Sequence, residues 1–316
     1  MQPVGSIPLV FGAMSTWLTP LWTVGVGAVI AVAAIYVVAF LIRLAAPKLA
    51  AIAQTTAKEG ISQPLFYVIL AIGIFALTIF PFLSYNTFGE DVKMLKSEGL
   101  YLIKFLAIFL ALWTASVSIA DEIEGRTALT LLSKPVGRRQ LILGKFLGIL
   151  VPVAIVFIVL GVFFLASVSF KVVYDARETS NPEPTPMDCM REMLQVAPGL
   201  GLGFMEAVVL AAVSVAISTR LPMLPNLVIS VAIFALGHLV PLIVASPAGQ
   251  FPLVSFAGWF LAAMLPGLEH FNMETSISTG QSVPAVYLLA AGVYCALYSL
   301  AALLLALLLF EDRDLA

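Results

Sequence analysis

The residues best suited to a chemical task lie in one polar stretch, Asp121 to Lys145, set between two long apolar segments. Three acidic residues open it (Asp121, Glu122 and Glu124), and five basic ones follow, Arg126, Lys134, Arg138, Arg139 and Lys145. The spacing predicts a helix that starts at the acidic residues, where negative charge suits the positive end of the backbone dipole. Glu122 and Arg126 stand i,i+4 in the favourable order. Ile123, Thr127 and Leu131 fall on one face, with Ala128 and Leu132 beside them. Pro135 biases Lys134 away from helix and ends the run, and a second short helix is expected to begin near Gly137. This is the chemistry of a docking surface rather than of a reaction. Its basic excess assigns it to the cytoplasm.

Three further ionisable residues fall inside apolar runs. Lys104 lies roughly 8 Å and Glu206 about 13 Å below the outer ends of their segments, at ~1.5 Å per residue, and His238 lies in the outer half of its own. Charge within a membrane is costly, so each is a functional candidate. The plainer reading has Lys104 reaching outward, Glu206 pairing with it or holding a proton, and His238 hydrogen-bonding a neighbouring helix. Glu206 is therefore expected near Lys104 in space.

Other signals carry no chemistry. Gly144-Lys145 resembles the end of a phosphate-binding loop, but Phe146 follows where Ser or Thr is needed. Hydrolysis of ATP is not expected of this chain. Gly199, Gly201 and Gly203 follow no strand, and Gly199 and Gly203 read as a small-xxx-small packing contact. No HExxH or GxSxG occurs, and the two histidines cannot build the usual metal centre. No cofactor is expected. The cysteines, Cys189 and Cys295, lie far apart and form no CxxC. Cys189, in a polar segment, offers a labelling handle.

The elements that position these residues follow from composition. Of 316 residues 61% are hydrophobic and 11% charged, with mean hydropathy +1.06, against about 25% charge in a soluble domain. This is an integral membrane protein. A net charge of −2 with no basic stripe excludes a nucleic-acid surface. Spans of roughly 20 apolar residues are expected at 21–42, 65–83, 99–120, 143–170, 197–219, 222–244 and 284–310. Residues 47–63 form a weakly amphipathic helix suited to the membrane surface. The run 251–265 is too short to span and reads as re-entrant or interfacial. Polar loops are expected at 84–98, 171–196 and 247–283, with an extended Asn181–Pro186. The N-terminus shows no basic region ahead of its apolar stretch, which argues against a cleaved signal peptide.

Lysine and arginine set the orientation. With 121–145 cytoplasmic, ten fall inside and six outside, accounting for all 16. That supports seven spans, N-terminus outside and C-terminus cytoplasmic, in a cell membrane. The alternative lays 21–42 along the membrane surface.

The run Glu124-Gly125-Arg126-Thr127, Leu131 to Val136 around Pro135, then Arg138 and Gly144-Lys145, resembles the cytosolic loop of ABC-2-type transporter permeases. Arg126 separates the glycine from the threonine, which the commoner pattern makes adjacent. The Leu-rich final span and its acidic tail Glu311–Leu315 are also similar. The resemblance implies an all-α polytopic fold: a six-helix permease core (64–316), an extra N-terminal helix (1–46), an elbow helix (47–63) and a cytosolic coupling helix. It implies that Glu122, Glu124, Gly125, Arg126, Thr127, Pro135, Arg138 and Lys145 face a separate ATP-binding cassette ATPase. It also implies a second permease subunit, as a homodimer, within membrane lipid, working as an exporter. The rival reading is a stand-alone secondary transporter or channel using Glu206, but no repeated halves are visible.

Overall fold

The computed structural model describes residues 16–83, 90–124, 137–180, 182–273, 276–277 and 280–311. The described residues contain helices and no strand. Nine helices are named here: α1 (Leu21–Ala45), α2 (Pro47–Ser62), α3 (Pro64–Ile79), α4 (Asp91–Glu124), α5 (Arg138–Glu178), α6 (Pro186–Ser218), α7 (Met223–Ala245), α8 (Pro252–Met264) and α9 (Ala285–Glu311). Seven are long and apolar enough to cross a membrane: α1, α3, α4, α5, α6, α7 and α9.

The axis of the fold is α5, 41 residues long, about 60 Å against a hydrocarbon core of about 30 Å. It packs against α1, α2, α3, α4, α6 and α9. Small residues let its neighbours in. Phe164 fills the space where Gly99 of α4 has no side chain, and Leu160 does so at Gly73 of α3. With α4 and α6 it encloses the core of Ile103, Ala107, Ile149, Val153, Leu202 and Leu210.

The surroundings of α2 differ from the surface placement read in the sequence. Leu49 and Ile52 meet Gly144, Thr56 meets Gly148, and Gly60 meets Pro152. The contacts advance together in steps of four, so α2 runs beside α5 for two turns rather than across its end. Gly144 and Gly148 open the groove that permits this, and Thr56, Ala57 and Gly60 are buried there. The sequence pattern showed the amphipathic face but not what covers it.

One end of α1 lies at the 169–170 level of α5, where Ser169 Oγ donates to the Trp17 carbonyl at 2.8 Å and the Trp17 ring meets Phe170 edge-on. Its other end leads straight into α2, near the beginning of α5. This helix therefore stands lengthwise along the bundle, with Val24 its buried contact.

The polar stretches read as loops at 84–98 and 171–196 are largely helical where described: α4 starts at Asp91, α5 continues to Glu178 and α6 begins at Pro186. Hydropathy marks the apolar slab, and these helices project past it. Asp188 caps α6 by accepting from Thr185 N at 2.9 Å and Thr185 Oγ1 at 2.8 Å. Cys189, expected as a labelling handle, is fully buried in this first turn of α6.

The short helix α8 spans about 20 Å at most. Its Gly258 abuts Val244 at the end of α7, and the following Leu268 abuts Gly237, two turns back down α7. The chain thus turns at 246–251 and runs back along α7 without crossing. Tyr294 of α9 accepts from Gly267 N at 2.8 Å and fixes the tip.

Candidate functional site

The loop end of the bundle comes first. The helix expected to start at Asp121 does not start there: α4 runs unbroken from Asp91 through Glu122 and Glu124. No glycine or proline lies between Leu100 and Glu124, so nothing breaks the helix near these acids and the dipole argument for a helix start there fails. Gly125, Arg126, Thr127 and Pro135 lie outside the described residues. Helix resumes at Arg138, one residue after Gly137, as a single helix continuous with the span. The Arg138 guanidinium lies over the Phe310 ring, 5.8 Å from its centroid, so the end of α9 joins the same end of the bundle.

Lys145 faces inward, 4% exposed. Its ammonium donates to the Ser118 carbonyl at 3.1 Å and to Ser118 Oγ at 3.0 Å, and it lies 3.7 Å from Glu59 of α2. One side chain therefore clamps the ends of α4 and α5 that flank residues 125–136 and links them to α2. Asn226 of α7, fully buried, meets α4 at Ser116, two residues back from Ser118. It donates to Ser116 Oγ at 2.9 Å and to Ser214 Oγ of α6 at 3.3 Å, and accepts from Ser230 Oγ at 3.1 Å. The hub ties α4, α6 and α7. Sequence reasoning missed it, because a lone Asn among apolar residues shows no partner until the helices are placed.

Midway along the bundle the structure brings together the three intramembrane candidates. Lys104 Nζ lies 3.1 Å from Glu206 Oε2, and His238 Nε2 lies 3.4 Å from Glu206 Oε1. Glu206 is fully buried. The approaches are at ion-pair distance but off hydrogen-bonding direction, so its oxygens accept no hydrogen bond from the described residues. His238 Nδ1 lies 3.1 Å from the Phe234 carbonyl. Each member comes from a different helix, α4, α6 and α7. Gly203, one turn before Glu206, lets Phe157 and the Lys104 stem approach. The packing role read for Gly199 and Gly203 matches this geometry: Leu100 and Met273 fill the space at Gly199.

The triad is covered on one side and open on another. Phe271 and Met273, beyond the tip of the α8 hairpin, line a narrow pocket with Lys104 and Gly203. A second hollow of about 360 Å³ opens between α3, α4 and α7, with Lys104 and His238 at its base.

At the end opposite the loop, two more buried lysines are paired. Lys96 of α4 is hydrogen-bonded to Glu192 and, at 2.8 Å, to Gln195 of α6. Lys171 of α5, 1% exposed, lies 3.4 Å from Asp91 and 3.9 Å from Glu178. Asp91, Asp175 and Glu178 bring carboxylate oxygens within 4.8 Å of one another. Lys171 supplies the positive charge among them, so the group is an ion-pair knot between α4 and α5. The sequence reading had placed Lys96 and Lys171 in polar loops and gave them no partners.

These features describe a multi-pass membrane protein whose helices gather a polar centre and whose longest helices meet one charged loop. The model of the family described as "ABC-2 family transporter protein" matches residues 76–315, from the end of α3 through α9. No curated protein matches the chain. The match covers well over half of the chain, and the chain belongs to the ABC-2 family of transporter membrane proteins.

Proposed function

We propose that this chain is the permease subunit of an ABC transporter, driven by a separate ATPase subunit that docks on the 121–145 loop. The family match carries this reading. The geometry adds a route for force. Both helices flanking the loop run directly into the core, and Lys104 lies 20 residues before Glu124 on α4, about 30 Å along one helix. A movement of the loop therefore acts on the triad through a single rigid element. The Lys145 clamp makes α4, α5 and α2 move together at that end, and the Asn226 hub adds α6 and α7. Glu122, Glu124, Gly125, Arg126, Thr127, Pro135 and Arg138 present the docking surface. Lys145 acts behind it, as a positioning residue.

In this reading the loop and the C-terminus are cytoplasmic, the α4–α5 knot faces outward, and two copies pair in the cell membrane around an export path. The isolated chain has no ATPase activity and co-purifies with a cytosolic ATPase expressed beside it. Robust ATP hydrolysis by the chain alone would sink the proposal. So would full transport in proteoliposomes without ATP, which would favour a secondary transporter using Glu206.

A further inference from the structure

The hollow beside the triad has two kinds of wall. Tyr101, Leu102 and Phe105 of α4, Phe234 of α7 and Phe80 after α3 make it mostly apolar. Lys104 and His238 supply nitrogen atoms at its base. Phe105 is 56% and Tyr101 36% exposed, so the hollow opens sideways, on the face that a bilayer would cover.

The base is set by geometry. The Phe234 carbonyl only accepts, so His238 Nδ1 donates to it. His238 Nε2 and Lys104 Nζ both approach the one Glu206 carboxyl, at 3.4 and 3.1 Å and off hydrogen-bonding direction, so two nitrogen-bearing side chains share a single acid there. The Tyr101 ring lies 5.1 Å from Lys104 Nζ, a cation–π contact at the same base. The other charged group lining the hollow is Glu98, exposed, six residues up α4 and about 9 Å away along the helix. It makes the polar mouth negative, which disfavours entry of small anions from water and leaves approach from the apolar side open.

We propose that this hollow binds an anionic amphiphile drawn from the bilayer, its single negative headgroup at Lys104 and His238 and its chain along Phe105 and Phe234. Its size falls within the range of roughly 300–1,000 Å³ of small-molecule sites. That the bound amphiphile is cargo rests on the permease reading; that it binds does not.

The test uses the full chain in nanodiscs of neutral lipid, with dodecyl phosphate as probe and native mass spectrometry as readout. Dodecyl phosphate binds saturably, one per chain, at least tenfold more tightly than dodecyltrimethylammonium or inorganic phosphate. Lys104→Met and His238→Gln each weaken it at least fivefold, and Lys104→Arg retains it. Glu206→Gln strengthens it, a sign that a merely structural role would not produce. Phe105→Glu changes an exposed residue and abolishes anion binding, which covers the case in which Lys104→Met does not fold. Equal binding of the cationic amphiphile, indifference to both Lys104→Met and His238→Gln, or inorganic phosphate binding as tightly as dodecyl phosphate would overturn the proposal. Quantitative disulfide formation between copies by Phe105→Cys, with no probe bound, would make a second copy the occupant and overturn it too. ATPase association is not read in this assay, so loss of that association with intact binding would sink the permease reading alone.

Discussion

Changing a glycine to alanine should have opposite effects at two places in this bundle. At Gly148 of α5 a Cβ would stand 2.5 Å from Thr56 Cβ and 2.7 Å from the Ala53 carbonyl oxygen. Ordinary carbon contacts lie at about 3.5–4.0 Å, so α2 must retreat by about 1 Å. Neither neighbour can rotate away, since one is a carbonyl oxygen of the backbone and the other is bonded to it. Overpacking costs about 1–3 kcal/mol. Alanine recovers about 1 kcal/mol of helix propensity, which leaves Gly148→Ala less stable by up to about 2 kcal/mol. At Gly201 of α6 a Cβ meets nothing within 4 Å. Only the propensity gain remains there, and Gly201→Ala should be more stable by about 0.5–1 kcal/mol. Reversible unfolding in mixed micelles with increasing dodecyl sulfate reads both. The first midpoint should fall and the second rise. If Gly148→Ala also rises, α2 is not seated on α5 as described.

Lys104→Met and Glu206→Gln should each destabilise the chain, because each strands a buried partner at a cost of about 3–5 kcal/mol; the double variant should lose at least 1 kcal/mol less than their sum, and strict additivity in the same unfolding assay would contradict the pairing. Asn226→Ala should cost about 2–3 kcal/mol, since it leaves three buried serine hydroxyls short of a partner, and a change below 0.5 kcal/mol would dismiss the hub. A cysteine placed at exposed Glu183, with Cys189 and Cys295 replaced by serine, should react with an impermeant maleimide from outside intact cells; reaction only after lysis would invert the proposed orientation. Glu122→Ala with Glu124→Ala should extract and unfold like the parent but lose ATPase association, read by co-purification, and full association would make the loop a plain connector.

Much of the architecture was legible because hydropathy reports burial in lipid directly. The seven long apolar runs and the short run before α9 needed only local sequence. The closeness of Lys104 and Glu206 followed from the expense of leaving either alone. What could not be read was anything set by the relative rotation of helices. The Asn226 hub needs four residues from three helices to point the same way. The inward turn of Lys145 depends on Ser118 lying opposite, and in sequence Lys145 resembles half-buried Arg138 and exposed Arg139. The extent of α4 was misjudged for another reason: charge after Ala120 looked like a boundary, but charge ends a span without ending a helix.

The buried lysines of α4 also carry a consequence for synthesis. Lys96 and Lys104 find their acids at Glu192 and Glu206, both on α6. The chain is made from its N-terminus, so α4 enters the bilayer about a hundred residues before either acid exists. At ~5–20 residues per second that interval lasts roughly 5–20 s. During it α4 must wait at the insertion machinery, or sit shallow with its lysines drawn to the surface. Its final depth is set only when α6 arrives. A ribosome that stops between α5 and α6 therefore releases a fragment with two unanswered charges, marked for quality control by the same pairs that settle the finished protein.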